Sequence, residues 1–191
     1  MNYYWISIND EKVSTVAYAP QGTPSSYELI PKMADNNTLP FPLRLYEVSV
    51  NDKLEKGAIS DTYYDYQPNS LAWPLMSKRM ASIIASHLTG LENIEWREVM
   101  VEGCTSSRKY YVPLFTTELD TLNVTESVFV PSSRIVLKPC FKMEKVEKYA
   151  MFHGYGKFWQ ITSQIYVNEE IKQVLDDMNL EELSFSKIHI K

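Results

Sequence analysis

A chain of 191 residues with 45% hydrophobic and 13% aromatic side chains has the length and apolar content of one globular domain, which excludes wholesale disorder. Nineteen Lys and Arg against 24 Asp and Glu leave a net charge of −5 and a pI of 5.3, excluding a general nucleic-acid binder, which needs a basic face. Two cysteines are too few for a disulfide scaffold or a four-thiolate zinc site, and Cys104 and Cys140 are both expected as buried, reduced thiols.

The first residues lack the basic stretch and the roughly 7–15-residue apolar run of a secretory signal, and no apolar run approaches the ~20 residues that span a bilayer. The expectation is a soluble, cytoplasmic protein without membrane contact. Residues 3–8 and 13–18 are aromatic and β-branched around an Asn9-Asp10 turn signal, so they predict a hairpin or two early strands. Prolines 20, 24, 31, 40 and 42, with Gly22 and Asn36-Asn37, predict loop from Pro20 to Pro42. A strand follows at 43–50, then a polar, acidic, tyrosine-rich surface stretch from Asn51 to Asn69.

Met80, Ile83, Ile84, His87 and Leu88 share one face of a helix that Ser77 caps and Gly90 stops. Residues 94–102 and 108–115 read as two strands around the turn at Gly103–Ser107, with Pro113 suggesting an edge. Residues 127–130 and 134–137 repeat the strand, turn, strand pattern; 142–151 fits helix or strand; 157–161 and 164–167 have strand composition. Asn168 caps a second helix, with Glu169 and Glu170 in its first turn and Ile171, Val174, Leu175 and Met178 as its apolar stripe. The chain ends in a candidate strand. About ten strands and two main helices without βαβ alternation predict a single α+β domain over 1–191 with a largely antiparallel sheet.

No catalytic motif stands out. His87, His153 and His189 fit neither HExxH nor a Cys/His ligand spacing, so no metal or cofactor is expected, and His87 reads as a packed residue on the apolar helix face. His153-Gly-Tyr-Gly-Lys157 is neither a P-loop nor a dinucleotide loop and reads as a glycine-containing turn. Asp176-Asp177 and Glu181-Glu182 read as the solvated end of the last helix. Trp5, Trp73, Trp96 and Trp159 sit in or beside predicted elements and are expected in the core.

The segment Asp61-Thr-Tyr-Tyr-Asp-Tyr66 carries the candidate binding residues Asp61, Tyr63, Tyr64, Asp65 and Tyr66. Tyrosines supply contact area at low entropic cost and carboxylates steer a basic partner. The same tyrosines could instead cover a sheet edge.

From Trp73 onward, the helix SKRMASIIASHL (77–88), the strand IEWREVMVE (94–102), RKYYVPLF with Asp120-Thr-Leu-Asn123, and FWQITSQIYVNEEIKQVLDDMNLEELSFSKI (158–188) resemble immunity-protein family eleven of bacterial polymorphic toxin systems. The family's C-terminal pattern of strand, turn, strand, acidic helix and return strand is matched by Phe158–Ile161, Ile165–Val167, Ile171–Met178 and Asn179–Phe185. Where many members have a glycine before the last strand, this chain has Glu181-Glu182, and residues 1–70 are less typical. The resemblance implies a non-enzymatic antitoxin that binds a cognate toxin protein and occludes it. Two alternatives stand beside it. One is a small hydrolase or transferase assembled in three dimensions, with Cys104, His153 and nearby carboxylates as its candidates; the other is a non-enzymatic adaptor module.

Overall fold

The two N-terminal segments fold as strands, β1 (Tyr3–Ile8) and β2 (Thr15–Tyr18), but they never pair with each other. In the computed structural model β1 joins a four-stranded sheet and β2 a seven-stranded one, so the hairpin reading gives way to two strands in different sheets. The structure describes residues 1–48, 56–133 and 135–191, apart from the Lys56 side chain. Residues 49–50 of the strand expected at 43–50, residues 51–55 of the polar stretch, and Arg134 lie outside them.

Between Pro20 and Pro42, where loop is expected, the chain forms a helix, α1 (Ser26–Asp35). The Ser25 backbone N–H donates to the Glu28 carboxylate at 2.9 Å, closing a capping box, while Leu29, Ile30 and Met33 are buried. Pro31 lies inside the helix and denies the Tyr27 carbonyl its N–H partner. Burial of the apolar stripe outweighs that loss.

Next come β3 (Leu43–Val48), β4 (Lys56–Ile59), β5 (Tyr66–Gln67), β6 (Leu75–Ser77), α2 (Lys78–His87), β7 (Ile94–Glu102) and β8 (Ser107–Phe115). Then follow β9 (Val128–Phe129), β10 (Val136–Lys138), α3 (Met143–Val146), β11 (Met151–His153), β12 (Ile165–Asn168), α4 (Glu169–Asp177) and β13 (Leu183–Lys187). The large sheet runs β2-β3-β7-β8-β6-β5, with β4 on the second half of β3; the small one runs β11-β12-β1-β13. The pairings are antiparallel except for β3 with β7. The protein is thus mixed α and β and mostly sheet, and α1 adds a third helix of more than two turns to the two expected.

Ser77 caps α2 as predicted, its hydroxyl accepting from the Met80 N–H at 3.2 Å, and Asn168 caps α4 through the Ile171 N–H at 2.9 Å. β8 is the wall between two cores. Tyr110, Val112 and Leu114 face one, under α1, while Tyr111 and Phe115 face the other, which α2, α4 and the small sheet enclose. A strand's period of two makes this possible only if both faces are apolar. Pro113 is therefore interior rather than at an edge. Its missing N–H falls on the side away from β7, between the β6 pairing at Tyr110–Tyr111 and the Phe115 N–H, which donates to the Gln160 carbonyl at 2.9 Å.

Residues 157–160 turn rather than extend. Phe158 packs against the core under α1 and Trp159 against the other, so this turn joins the two. Trp73 is buried, and Trp96 and Trp159 are half-buried, but Trp5 on β1 is 38% exposed, contrary to expectation. No helix among the described residues is long and apolar enough to cross a membrane.

Candidate functional site

The segment from Asp61 to Tyr66 links β4 to β5 and lies against the β7–β8 turn. The Asp61 carboxylate accepts from the Thr105 hydroxyl at 2.6 Å, the Ser106 hydroxyl at 2.9 Å and both backbone N–H groups. These donors, the Thr105 hydroxyl first, hold its carboxyl below the usual carboxylate range. Gly103 makes the approach possible, because a Cβ there would meet the Asp61 carboxylate and stand 2.6 Å from the Tyr63 hydroxyl oxygen.

Tyr63 donates from its hydroxyl to the Ser106 carbonyl at 2.8 Å, and the Arg108 guanidinium lies over its ring, 4.5 Å from the centroid. The Tyr64 hydroxyl accepts from the Ser14 N–H at 2.9 Å, and the Tyr64 carbonyl accepts from the Tyr110 hydroxyl at 2.7 Å. Asp65 receives the Ser77 hydroxyl, which ties the segment to the start of α2. Tyr66 is only 5% exposed and belongs to the core. Asp61, Tyr63, Tyr64 and Asp65 therefore form one braced, accessible stretch, and Tyr66 anchors it from beneath.

The anchor has a second part that sequence reasoning missed. Glu182, expected at a solvated helix end, is 6% exposed, and its carboxylate accepts from the N–H groups of Asp65 at 2.9 Å and Tyr66 at 3.2 Å. No local pattern marks this contact, which spans more than a hundred residues of chain. Thr105, Ser106 and Arg108 were likewise unflagged. The Thr-Ser-Ser composition of the turn was the one signal available.

The enzymatic candidates are not brought together. Cys104 is exposed, correcting the expectation of a buried thiol, and sits in the turn at the Ser107 end of β8. The His153 ring lies 4.8 Å from that of Phe115, at the opposite end of the strand, about 27 Å away at roughly 3.4 Å per residue. Cys140 is buried and, like Cys104, unbridged. His87 is half-buried, its Nδ1 2.8 Å from the Ile83 carbonyl oxygen, and His189 is exposed. Among the described residues no group of three His, Cys, Asp or Glu side chains could hold a metal ion.

His153 is instead a structural residue at 1% exposure. Its Nε2 accepts from the Leu119 N–H at 3.0 Å, so the proton sits on Nδ1 and is donated to the Gly154 carbonyl at 2.9 Å. Burial pushes its pKa below the ordinary histidine value. Between that lowered value and about 6.5 the unfolded chain binds a proton the folded chain does not, so stability is intact above about 6.5 and falls as pH drops through this window, by up to about 1.4 kcal/mol per pH unit. Urea midpoints measured from pH 8 to pH 4.5 on the wild type and His153→Gln will show this step in the wild type alone. Equal profiles would mean His153 does not titrate as described.

No known family model matches the chain, and none of the curated proteins is significantly similar to it.

Proposed function

We propose that this chain is a non-enzymatic immunity protein that binds a toxin effector stoichiometrically and occludes it. The observation that supports the reading is the bracing of Asp61–Asp65. The Asp61 carboxylate, the Tyr63 and Tyr64 hydroxyls and the Glu182 carboxylate hold the segment at both ends. Two tyrosine rings held in place lose little entropy on binding, which is where affinity is gained at an interface. Arg108 beside Tyr63 adds a residue type common among binding hot spots. The resemblance from Trp73 onward supports the same reading. An interface of this kind would bury about 1,200–2,000 Å² in total.

The test is co-expression with the product of the adjacent reading frame, scored by survival, followed by calorimetric titration of the purified pair. Rescue with one-to-one nanomolar binding is expected. Tyr63→Ala with Tyr64→Ala should then weaken binding by about 2–4 kcal/mol. Thermal melts, with the phenylalanine double variant as companion, separate lost contact from lost folding. Toxicity without rescue, or no binding to any adjacent product, would overturn the immunity reading; wild-type affinity in the alanine variant would move the interface off this segment.

A further inference from the structure

A second surface, sharing no residue with Asp61–Tyr66, is lined by residues of β1, β10, β12 and β13. It is a groove of about 390 Å³ floored by Phe141 and Tyr166 and flanked by Trp5, Leu137 and Tyr155. The Trp5 indole N–H reaches the Ser163 carbonyl at 3.4 Å, which orients the ring and leaves it 38% exposed. Phe129 and Val136 pack the β9–β10 ribbon inward, whereas Val128, Ile135 and Leu137 stand 49%, 64% and 63% exposed. Exposed large apolar side chains gathered on one ribbon mark an interaction surface more often than scattered ones do.

The charge of the lining chooses the occupant. In a chain of net charge −5, the charged side chains lining this groove are Lys138 and Lys187, without a carboxylate. Neither lysine has an ion-pair partner among the described residues. Glu126, close enough to feel His189, is already paired with Lys191 at 2.7 Å. Two pockets adjoin the groove through Tyr155: one carries Lys157, the other Glu118 and Asp120, of which Asp120 is paired with Lys145.

We infer that this groove docks an extended acidic segment of a partner protein, with a large apolar side chain seated against Trp5 and Leu137 and carboxylates on Lys138 and Lys187. A nucleic-acid strand fits less well. Its continuous phosphate charge meets the acidic remainder of the molecule. A short acidic segment brings its charge only where the lysines are.

The experiment pans a random twelve-residue peptide display library on the full chain, with counter-selection on the variant Lys138→Glu, Lys187→Glu. Enriched peptides should carry Asp or Glu beside an aromatic residue or leucine. By fluorescence anisotropy they should bind at least tenfold more weakly to the charge-reversal variant and to Leu137→Asp. All three positions are exposed, so thermal midpoints should stay near wild type, and a midpoint drop in one variant leaves the other as the test. Absence of enrichment, neutral or basic consensus sequences, wild-type affinity in both variants, or displacement of the peptide by oligodeoxythymidylate would each overturn the assignment. The immunity reading is tested separately at Tyr63 and Tyr64, so either proposal can fail alone.

Discussion

Replacing Glu92 with alanine should destabilise the protein by about 3–4 kcal/mol, because it removes a fully buried side chain and strips the buried Ala150 N–H of its acceptor. Glu92 is fully buried, and its carboxylate accepts from the Ala150 N–H at 2.7 Å, the Thr89 N–H at 3.2 Å and the Thr89 hydroxyl at 3.0 Å. It thereby fastens the connection between α2 and β7 to the entrance of β11, two places almost sixty residues apart. Glu92 has no ion-pair partner among the described residues, so hydrogen bonds alone hold its carboxyl group in place. Glu92→Gln keeps a carbonyl acceptor and nearly the same shape, and should cost about 1–2 kcal/mol. Urea titrations at constant m-value measure both, and hydrogen exchange at the Ala150 amide localises the effect. A loss below 1 kcal/mol for the alanine variant would mean that water replaces the carboxylate.

The elements that sequence reasoning placed correctly are those whose signal is local. β7 and β8 carry long β-branched and aromatic runs around a polar turn, and α2 and α4 each have a cap residue and an apolar stripe. α1 escaped notice because five prolines outweighed a signal that was present, the Ser25 and Glu28 pair of a capping box. Residues 157–161 misled in the opposite direction. Phe158 and Trp159 look like strand residues, yet they are apolar because a single turn must fill both cores. The hairpin at Asn9-Asp10 failed for a related reason, since strand partners are chosen by distant packing, and β1 finds its partners in β12 and β13.

The candidate site divides along the same line. Residue types at Asp61–Tyr66 flagged a tyrosine-rich segment, but nothing local says which groups face inward. That is decided by Ser106 and Glu182, one on a turn and the other before the last strand. Glu182 holds this segment from the turn before the last strand. A glycine there would leave the N–H groups of Asp65 and Tyr66 without that acceptor. The C-terminal turn and the tyrosine-rich segment are therefore joined through space.

The largest single loss should follow from Phe141→Ala, at about 3–5 kcal/mol, or a fall in Tm of roughly 8–15 °C for a chain of this size. Phe141 is fully buried and packs edge-on against Phe152 at 5.0 Å and Tyr166 at 4.8 Å between ring centroids. Its backbone also helps to hold the C-terminus. The Phe141 N–H donates to the His189 carbonyl at 3.2 Å, and its carbonyl accepts from the Lys191 N–H at 3.0 Å, so the C-terminal residues are held by the same position that fills the core. Emptying the side-chain site leaves a cavity among rings that cannot collapse without moving β11 and β12. Faster hydrogen exchange at the Lys191 amide should accompany the lower Tm. Phe141→Leu, which retains most of the volume, should cost no more than about 1.5 kcal/mol and preserve that amide's protection. If instead the alanine variant melts within 3 °C of wild type, the aromatic group is not the keystone of this core, and the small sheet must be held chiefly by α4.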